Sequence, residues 1–492
     1  MKTSLLHNRW FTAPVFFLLL PIFFVVHGWQ ENFAFIPATD IGLLLLMYLV
    51  AALVLYAIAW LWLRNQYKAA LASFALMALH FFFGGIHDLL KRNFENAFIS
   101  KYAFILPLCL LLIIIMLIAL KRKKSSLQKA AAYLNMLLAL LIIIDVARIL
   151  LPKQDSPDKK TGVTLNCDSC YKPDIYFVLL DEYTGNDALR DLFNFDNAAF
   201  EQQLTNRGFH VVPHSRSNYN YTPFSMASIL NMQYLQLENT ERKKPDITYA
   251  FRLINQNEVT ALLEQNGYSF YNHSVFDLPG RPMQTEETFI PSRTKLITAQ
   301  TLLSRLNRDL GYHLVTTLKI KKAVDHQAYR IQRSNARLYD LTWKQSAAPH
   351  TQPQFIYTHL MMPHYPYYFD RNGKPMDPAR VLPEANNMNR KDYVEYMQYV
   401  NKKILDLTDH ILQASAKPPV IIVMSDHGFR HFNKPVALKY HFMNLNAVYL
   451  PGKDYSGFYD SVSNVNQFRL IFNSVFKTGL PLLKDTSIYL KD

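Results

Sequence analysis

The chain has 492 residues, is 50% hydrophobic, carries only 18% charged residues and has a formal net charge of +14. That is too apolar for an ordinary soluble protein and too polar for a pure membrane bundle, so the composition averages two unlike halves. The positive excess does not call for nucleic acid, and no such partner is expected, because much of it sits in short connections between apolar stretches, where insertion and anionic lipid account for it.

Up to about Leu151, five apolar stretches are long enough, or nearly so, to cross about 30 Å of hydrocarbon. They run roughly Phe11–Val26, Ile41–Leu63, Ala69–Ile86, Tyr102–Leu120 and Leu134–Leu151. The first follows Lys2 and Arg9 as a secretory signal would. However, His27-Gly28-Trp29-Gln30 offers no small-residue cleavage site, so it reads as a retained helix. Basic residues mark the cytoplasmic connections: Lys2 and Arg9, then Arg64 and Lys68, then Lys121 to Lys124 with Lys129. An odd number of spans then leaves the N-terminus in the cytoplasm and the C-terminal half outside. The expected location is a bacterial cytoplasmic (inner) membrane, periplasmic for the large domain where an outer membrane exists. Ionisable residues inside the apolar half are functional candidates by default. Asp145 and Arg148 are spaced to pair on one helix face, and His87 and Asp88 lie near the outer interface, in reach of a lipid headgroup.

Cys109 reads as apolar filler in the fourth span, while Cys167 and Cys170 form a C-x-x-C within 152–172, a linker of Lys, Asp, Ser, Gly and Pro. A local disulfide is the default there, since no second pair supports a zinc ribbon. The expected domains are therefore 1–151, the linker, and 173–492.

The third region alternates strand and helix signals. Strands are expected at Asp174–Leu180, Phe209–Val212, Tyr268–Asn272, Gln354–Leu360, Val420–Met424 and Ala447–Leu450. Helices are expected at Asn197–Asn206, Pro223–Met232, Glu258–Gln265, Asp392–Leu412 and Asn464–Phe476, with about 295–345 helix-rich and harder to place. Such alternation implies an α/β domain with a mostly parallel central sheet covered by helices on both faces.

Two of these strands end in acids. Val420–Met424 runs into Ser425-Asp426-His427-Gly428, and Ile175–Leu180 runs into Asp181-Glu182. Ligands of open α/β sheets bind beyond the carboxyl ends of strands, so a carboxylate beside an imidazole there is half of a metal site. Thr222-Pro223 opens a helix of small residues. As a plain N-cap, Thr222 would be structural; as a hydroxyl at the positive end of a helix dipole, it would meet a phosphate or sulfate ester.

Taken in order, the acid-ended strand, the hydroxyl at a helix start and the late Asp-His resemble the alkaline phosphatase and sulfatase superfamily. The segment Phe200 to Phe209 resembles the stretch that precedes the nucleophile in sulfatases, and the register Thr222-Pro223-Phe224-Ser225-Met226-Ala227-Ser228-Ile229-Leu230 is similar to the sulfatase nucleophile motif, with Thr222 where the modified cysteine would be. The preceding spans further resemble the membrane-bound branch of lipoteichoic acid synthases and phosphoethanolamine transferases. The resemblance implies Asp181, Glu182, Thr222, Asp426 and His427 as metal ligands. It implies Thr222 as nucleophile and His364, in Pro363-His364-Tyr365-Pro366, as a histidine that binds the ester or protonates the leaving group. His359, Arg216, Arg430, His431 and His441 become candidates for substrate binding. Oxygen ligands with one imidazole suit zinc, manganese or magnesium better than calcium.

Thr222 cannot be oxidised to formylglycine and no cysteine lies nearby, which favours phosphoryl transfer over sulfate hydrolysis. The expected function is a metal-dependent transferase moving a phospho-alcohol group, of phosphoglycerol or phosphoethanolamine type. The donor is a membrane phospholipid, the acceptor is an envelope glycan or glycolipid, and the route runs through a phosphothreonine. The alternatives are a hydrolase of phosphate or sulfate esters on the same fold, and a non-catalytic envelope scaffold or transporter.

Overall fold

A computed structural model describes residues 12–32, 36–94, 97–151, 165, 171–285, 293–311, 317, 321–382 and 389–491. Cys167 and Cys170 lie outside the described residues. The chain divides into two compact units, 1–156 with 291–318, and 157–290 with 319–492.

The first unit is helical. Its main helices are α1 (Phe16–Glu31), α2 (Ala38–Leu63), α3 (Gln66–Asn93), α4 (Tyr102–Arg122) and α5 (Gln128–Leu150). Four of them, α2 to α5, are long and apolar enough to cross a membrane, while α1 is apolar but only 16 residues long. Five spans is therefore an approximate description. The side chains confirm the solvent: Leu43, Leu46, Met47 and Val50 on α2 are all exposed, as no water-soluble surface would arrange them. These helices anchor the protein in a membrane.

The segment 291–318 interrupts the globular part of the chain yet belongs to the helical unit. The backbone oxygen of Gln300 accepts from Gly84 N at 2.8 Å, and Arg305, 5% exposed, forms an ion pair with Asp88. Tyr102 donates to Asp309 Oδ2 at 2.5 Å. Asp88 thus has a protein partner although its side chain is 47% exposed, and His87 is buried with Nε2 3.0 Å from Ser100 O. Asp145 likewise departs from expectation. It is buried and pairs with His27 Nδ1 of the neighbouring α1 at 3.1 Å rather than with Arg148 on its own helix.

Glycine is required at position 84 by close approach. A Cβ there would stand 2.4 Å from Gln300 O, whereas one at Gly85 would meet nothing within 4 Å. Gly84→Ala is expected to destabilise the helical unit by about 1–3 kcal/mol, the usual cost of overpacking. Thermal unfolding in detergent should show a lowered midpoint for Gly84→Ala and none for Gly85→Ala.

The second unit is built on one six-stranded mixed sheet: β1 (Ile175–Leu180), β2 (His210–Val211), β3 (Ser269–His273), β4 (Gln354–Leu360), β5 (Val420–Ser425) and β6 (Asn446–Tyr449), in the order β2-β6-β5-β1-β4-β3. The pairs β3–β4, β4–β1 and β1–β5 are parallel, and β5–β6 and β6–β2 antiparallel. Every residue of β1, β4 and β5 is buried because both faces of the sheet are covered; β1 is a continuous apolar run and β5 is apolar up to Ser425, while β4 also buries Gln354, Thr358 and His359. The covering helices include α6 (Thr222–Asn231), α7 (Arg330–Ser346), α8 (Arg390–Ala414) and α9 (Gln467–Phe476). Phe468 of α9 packs edge-on against Phe177 of β1, and Asn335 of α7 bonds Met361 just past β4. Strand register sets where the chemistry-bearing residues meet. Leu180 of β1 lies beside Leu360 of β4 and Ser425 of β5, so three parallel strands end level and their next residues share one edge.

Candidate active site

Asp181 and Glu182 follow β1, Asp426 and His427 follow β5, and His359 sits at the end of β4. Parallel pairing in register is what brings them together. The backbone turns at Glu182 with φ +61°, a left-handed conformation that non-glycine residues seldom adopt and that clusters at functional sites. That turn lets two consecutive carboxylates serve two neighbouring groups.

The first group is Asp181, Asp426 and His427, each buried, with one donor atom apiece within 4.8 Å of the others. Asp426 Oδ1 is held by the backbone N–H of Glu182 at 3.1 Å and of His427 at 2.9 Å, while its Oδ2 and Asp181 Oδ1 are buried with no hydrogen-bond partner. His427 Nδ1 donates to Gly428 O at 2.8 Å, which fixes the tautomer and turns the Nε2 lone pair inward. Thr222 Oγ1 lies 3.2 Å from that Nε2, so the hydroxyl donates to it. Thr222 is itself the first residue of α6, with Tyr221 in the cap position, so its hydroxyl is turned to His427 rather than serving as the expected helix cap. His359, wholly buried, adds Nε2 at 3.8 Å from Asp181 Oδ2, with Nδ1 3.0 Å from Tyr357 Oη.

The second group is Glu182, His364 and His431, again within 4.8 Å. His364 Nε2 is 3.7 Å and His431 Nε2 3.5 Å from the Glu182 carboxylate. His364 Nδ1 donates to Tyr365 O at 2.7 Å, the same device as at His427. Glu182 Oε2 and His431 Nε2 are buried without hydrogen-bond partners.

Electrostatics make the same point as the orphaned atoms. Burial pushes the Glu182 carboxyl up to about 8, against the pull of Arg430 and with a further push from Asp181 and Asp426. Burial also raises Asp426, opposed by His427 and reinforced by Asp181. Burial draws both His364 and His431 down to about 3, leaving them neutral lone-pair donors. Glu182 and Asp426, two carboxyls that burial pushes up, beside neutral His364 and His431 are a poor arrangement alone and a good one around divalent cations. The donor set therefore fits a metal.

The supporting shell is polar and dense. Ser225 Oγ donates to Asp426 O at 2.5 Å, and Asn464 Nδ2 to Ser425 O and Asp426 O at 3.0 and 3.2 Å. Gly428 is needed because a Cβ would stand 2.5 Å from Met443 O and 2.7 Å from Tyr440 O.

Of the other residues singled out in the sequence, Arg430 and His441 lie close by. Arg430 N donates to Glu182 Oε1 at 2.9 Å, and His441 is 8% exposed with its Nδ1 unpartnered. Arg216 stands apart, exposed, its backbone bridging Met443 and Ser463. Sequence reasoning passed over Arg242, whose guanidinium lies 4.2 Å from the centre of the Tyr221 ring. The C-terminal segment places it, through Arg242 N to Lys491 O at 2.9 Å, and no local pattern signals that pairing.

Among solved structures, the zinc complex of the C-terminal periplasmic domain of EcEptC from Escherichia coli is similar at 12% identity and TM-score 0.40, over 66% of this chain and 91% of that one. The soluble domain of lipooligosaccharide phosphoethanolamine transferase A from Neisseria meningitidis is similar at 13% identity and TM-score 0.37, over 64% and 92%. Phosphonate monoester hydrolase SpPMH from Silicibacter pomeroyi is similar at 15% identity and TM-score 0.40, over 64% and 75%. Curated proteins give no sequence match. The sulfatase family model, by contrast, matches residues 196–466, more than half of the chain and the stretch that carries Thr222, His364, Asp426 and His427. This chain belongs to the sulfatase family, joined here to apolar helices that anchor it in a membrane.

Proposed function

We propose that the protein is a metal-dependent transferase that moves a phospho-alcohol group from a membrane phospholipid to an envelope glycan or glycolipid, by way of a phosphothreonine on Thr222. One observation carries the reading: the Thr222 hydroxyl, at the start of α6, points at His427 Nε2 from 3.2 Å beside two orphaned carboxylate oxygens. A threonine cannot supply the aldehyde that sulfate hydrolysis in this family calls for, which favours a phosphorus ester.

Asp181, Asp426, His427 and Thr222 would hold one divalent ion, and Glu182, His364 and His431 a second. Such ions would supply Lewis acidity, lowering the pKa of a coordinated hydroxyl and polarising the non-bridging oxygens of the ester. Imidazole in both groups favours zinc, manganese or magnesium over calcium. Thr222 Oγ forms the new bond to phosphorus and gives up its proton, while the ester oxygen of the lipid leaves as a diacylglycerol alcohol and takes a proton. An acceptor hydroxyl then displaces Thr222 from the phosphorus. His364 acts as a ligand rather than an acid, since burial keeps it neutral and its Nδ1 proton is committed to Tyr365 O. The helices hold the enzyme in the cytoplasmic membrane with the catalytic unit outside, as the basic connections imply.

Incubating full-length protein with headgroup-labelled phospholipid and envelope acceptors tests the reading. Label recovered on an acceptor is the expected result. Release of free headgroup phosphate alone would mean a hydrolase, and an inert protein would favour a scaffold or transporter.

A further inference from the structure

Two cationic side chains converge on one ring next to the nucleophile. Tyr221 immediately precedes Thr222, and its ring receives the guanidinium of Arg242 at 4.2 Å and that of Arg430 at 5.0 Å. Like charges gathered this way repel: burial first, and then the like charge of Arg430, weaken the hold of Arg242 on its proton in a half-buried position. Arg430 Nε and His441 Nδ1 are both buried without a hydrogen-bond partner. His441 is held between Phe432 and Tyr489, with ring centres 5.2 Å away in each case.

The arrangement is built rather than incidental. The C-terminal segment is laced to the residues before Thr222: Asn220 Nδ2 donates to Leu490 O at 3.1 Å and Leu490 N to Asn220 Oδ1 at 2.8 Å. Lys491 N reaches Thr240 O at 2.8 Å, and Arg242 N reaches Lys491 O at 2.9 Å. The neighbours of Tyr221, Arg242 and Tyr489 are thus tied together by the Asn220 side chain and one short backbone pairing.

Two cations on one aromatic ring, with Arg430 Nε and His441 Nδ1 unspent beside them, are an anion receptor. The metal-binding groups account for the scissile phosphoryl, and Arg430 offsets part of the Glu182 charge, so the remaining positive charge gathered on this ring is addressed to something else. We infer that Arg242, Arg430 and His441 form a subsite for a second anion, carried on the alcohol of the transferred group. On that basis, which rests on the transferase reading above, the moved group is an anionic phospho-alcohol and not phosphoethanolamine, whose ammonium would face two guanidiniums.

The test uses full-length protein in detergent and three p-nitrophenyl phosphodiesters whose second alcohol is ethanolamine, glycerol or glycerol 3-phosphate. The expected kcat/KM order is glycerol 3-phosphate, glycerol, ethanolamine, with about tenfold between neighbours, as one added charge-assisted hydrogen bond or one opposed like charge would give. Arg242→Gln should shrink the ratio of the first to the last by about tenfold or more, and Arg242→Lys should restore part of it. An ethanolamine probe that matches or exceeds the others, or a ratio unmoved by Arg242→Gln, overturns the inference. If no probe turns over, it is the transferase reading that fails. The subsite is then decided by calorimetry with glycerol 1,3-bisphosphate against glycerol 3-phosphate: tighter binding of the bisphosphate that Arg242→Gln removes supports it, and equal affinity overturns it.

Discussion

Thr222→Ala is expected to lower turnover by about 10³-fold or more, the scale seen when a nucleophile is removed from a unit that works together. The substitution deletes one hydroxyl and its bond to His427 Nε2 and leaves the helix start intact, because Tyr221 and not Thr222 occupies the cap position. Its effect on stability should therefore be small. Thr222→Ser keeps a hydroxyl on the same carbon position and should recover a large part of the loss, which a role in packing would not predict. The comparison is made on initial rates of p-nitrophenyl phosphodiester cleavage, with thermal unfolding as the control. Equal rates for wild type and Thr222→Ala would remove Thr222 from the chemistry.

The second large effect is expected from the metal. At a free zinc concentration about 100 times the dissociation constant, binding to the folded state alone adds about 2.7 kcal/mol of stability. Chelation should lower the unfolding temperature and zinc should restore it. Asp426→Asn sharpens the test. An asparagine can keep the Oδ1 bonds from Glu182 N and His427 N, while removing a charge that burial and Asp181 both disfavour. For a carboxyl raised in the folded state, the charged form weakens folding, so the apo protein loses stability as pH rises through the range between the unfolded and folded pKa values. In chelator near neutral pH, Asp426→Asn should thus be at least as stable as wild type, and it should gain much less on adding zinc. A variant that is destabilised in chelator and still gains fully from zinc would mean that Asp426 is a structural group and not a ligand.

The sheet was legible because burial writes itself into composition. Strands β1 and β5 are almost wholly apolar, and the acids that follow them interrupt those runs abruptly. The five apolar stretches were legible in the same way, although α1 proved too short for a secure span. The division of labour between Asp181 and Glu182 was not legible, since adjacent carboxylates separate into two groups only through the left-handed turn at Glu182. His431 and His364 joined Glu182 for the same reason. Arg216 looked like Arg430 in sequence, yet one is exposed and the other lies against Tyr221, a difference made by backbone pairing with Met443 and Ser463. Arg242 and the segment 291–318 depend on contacts between distant parts of the chain, which no periodicity encodes.

The central claim is that Thr222, in a cation-binding cluster with Asp181, Asp426 and His427, takes the transferred group covalently. The most direct measurement is peptide mass spectrometry of full-length protein quenched in acid after exposure to headgroup-labelled phospholipid. The account predicts a labelled phospho-alcohol adduct on Thr222 that is absent from Asp426→Asn. Label on another residue, or turnover of the donor with Thr222 unmodified throughout, would contradict it.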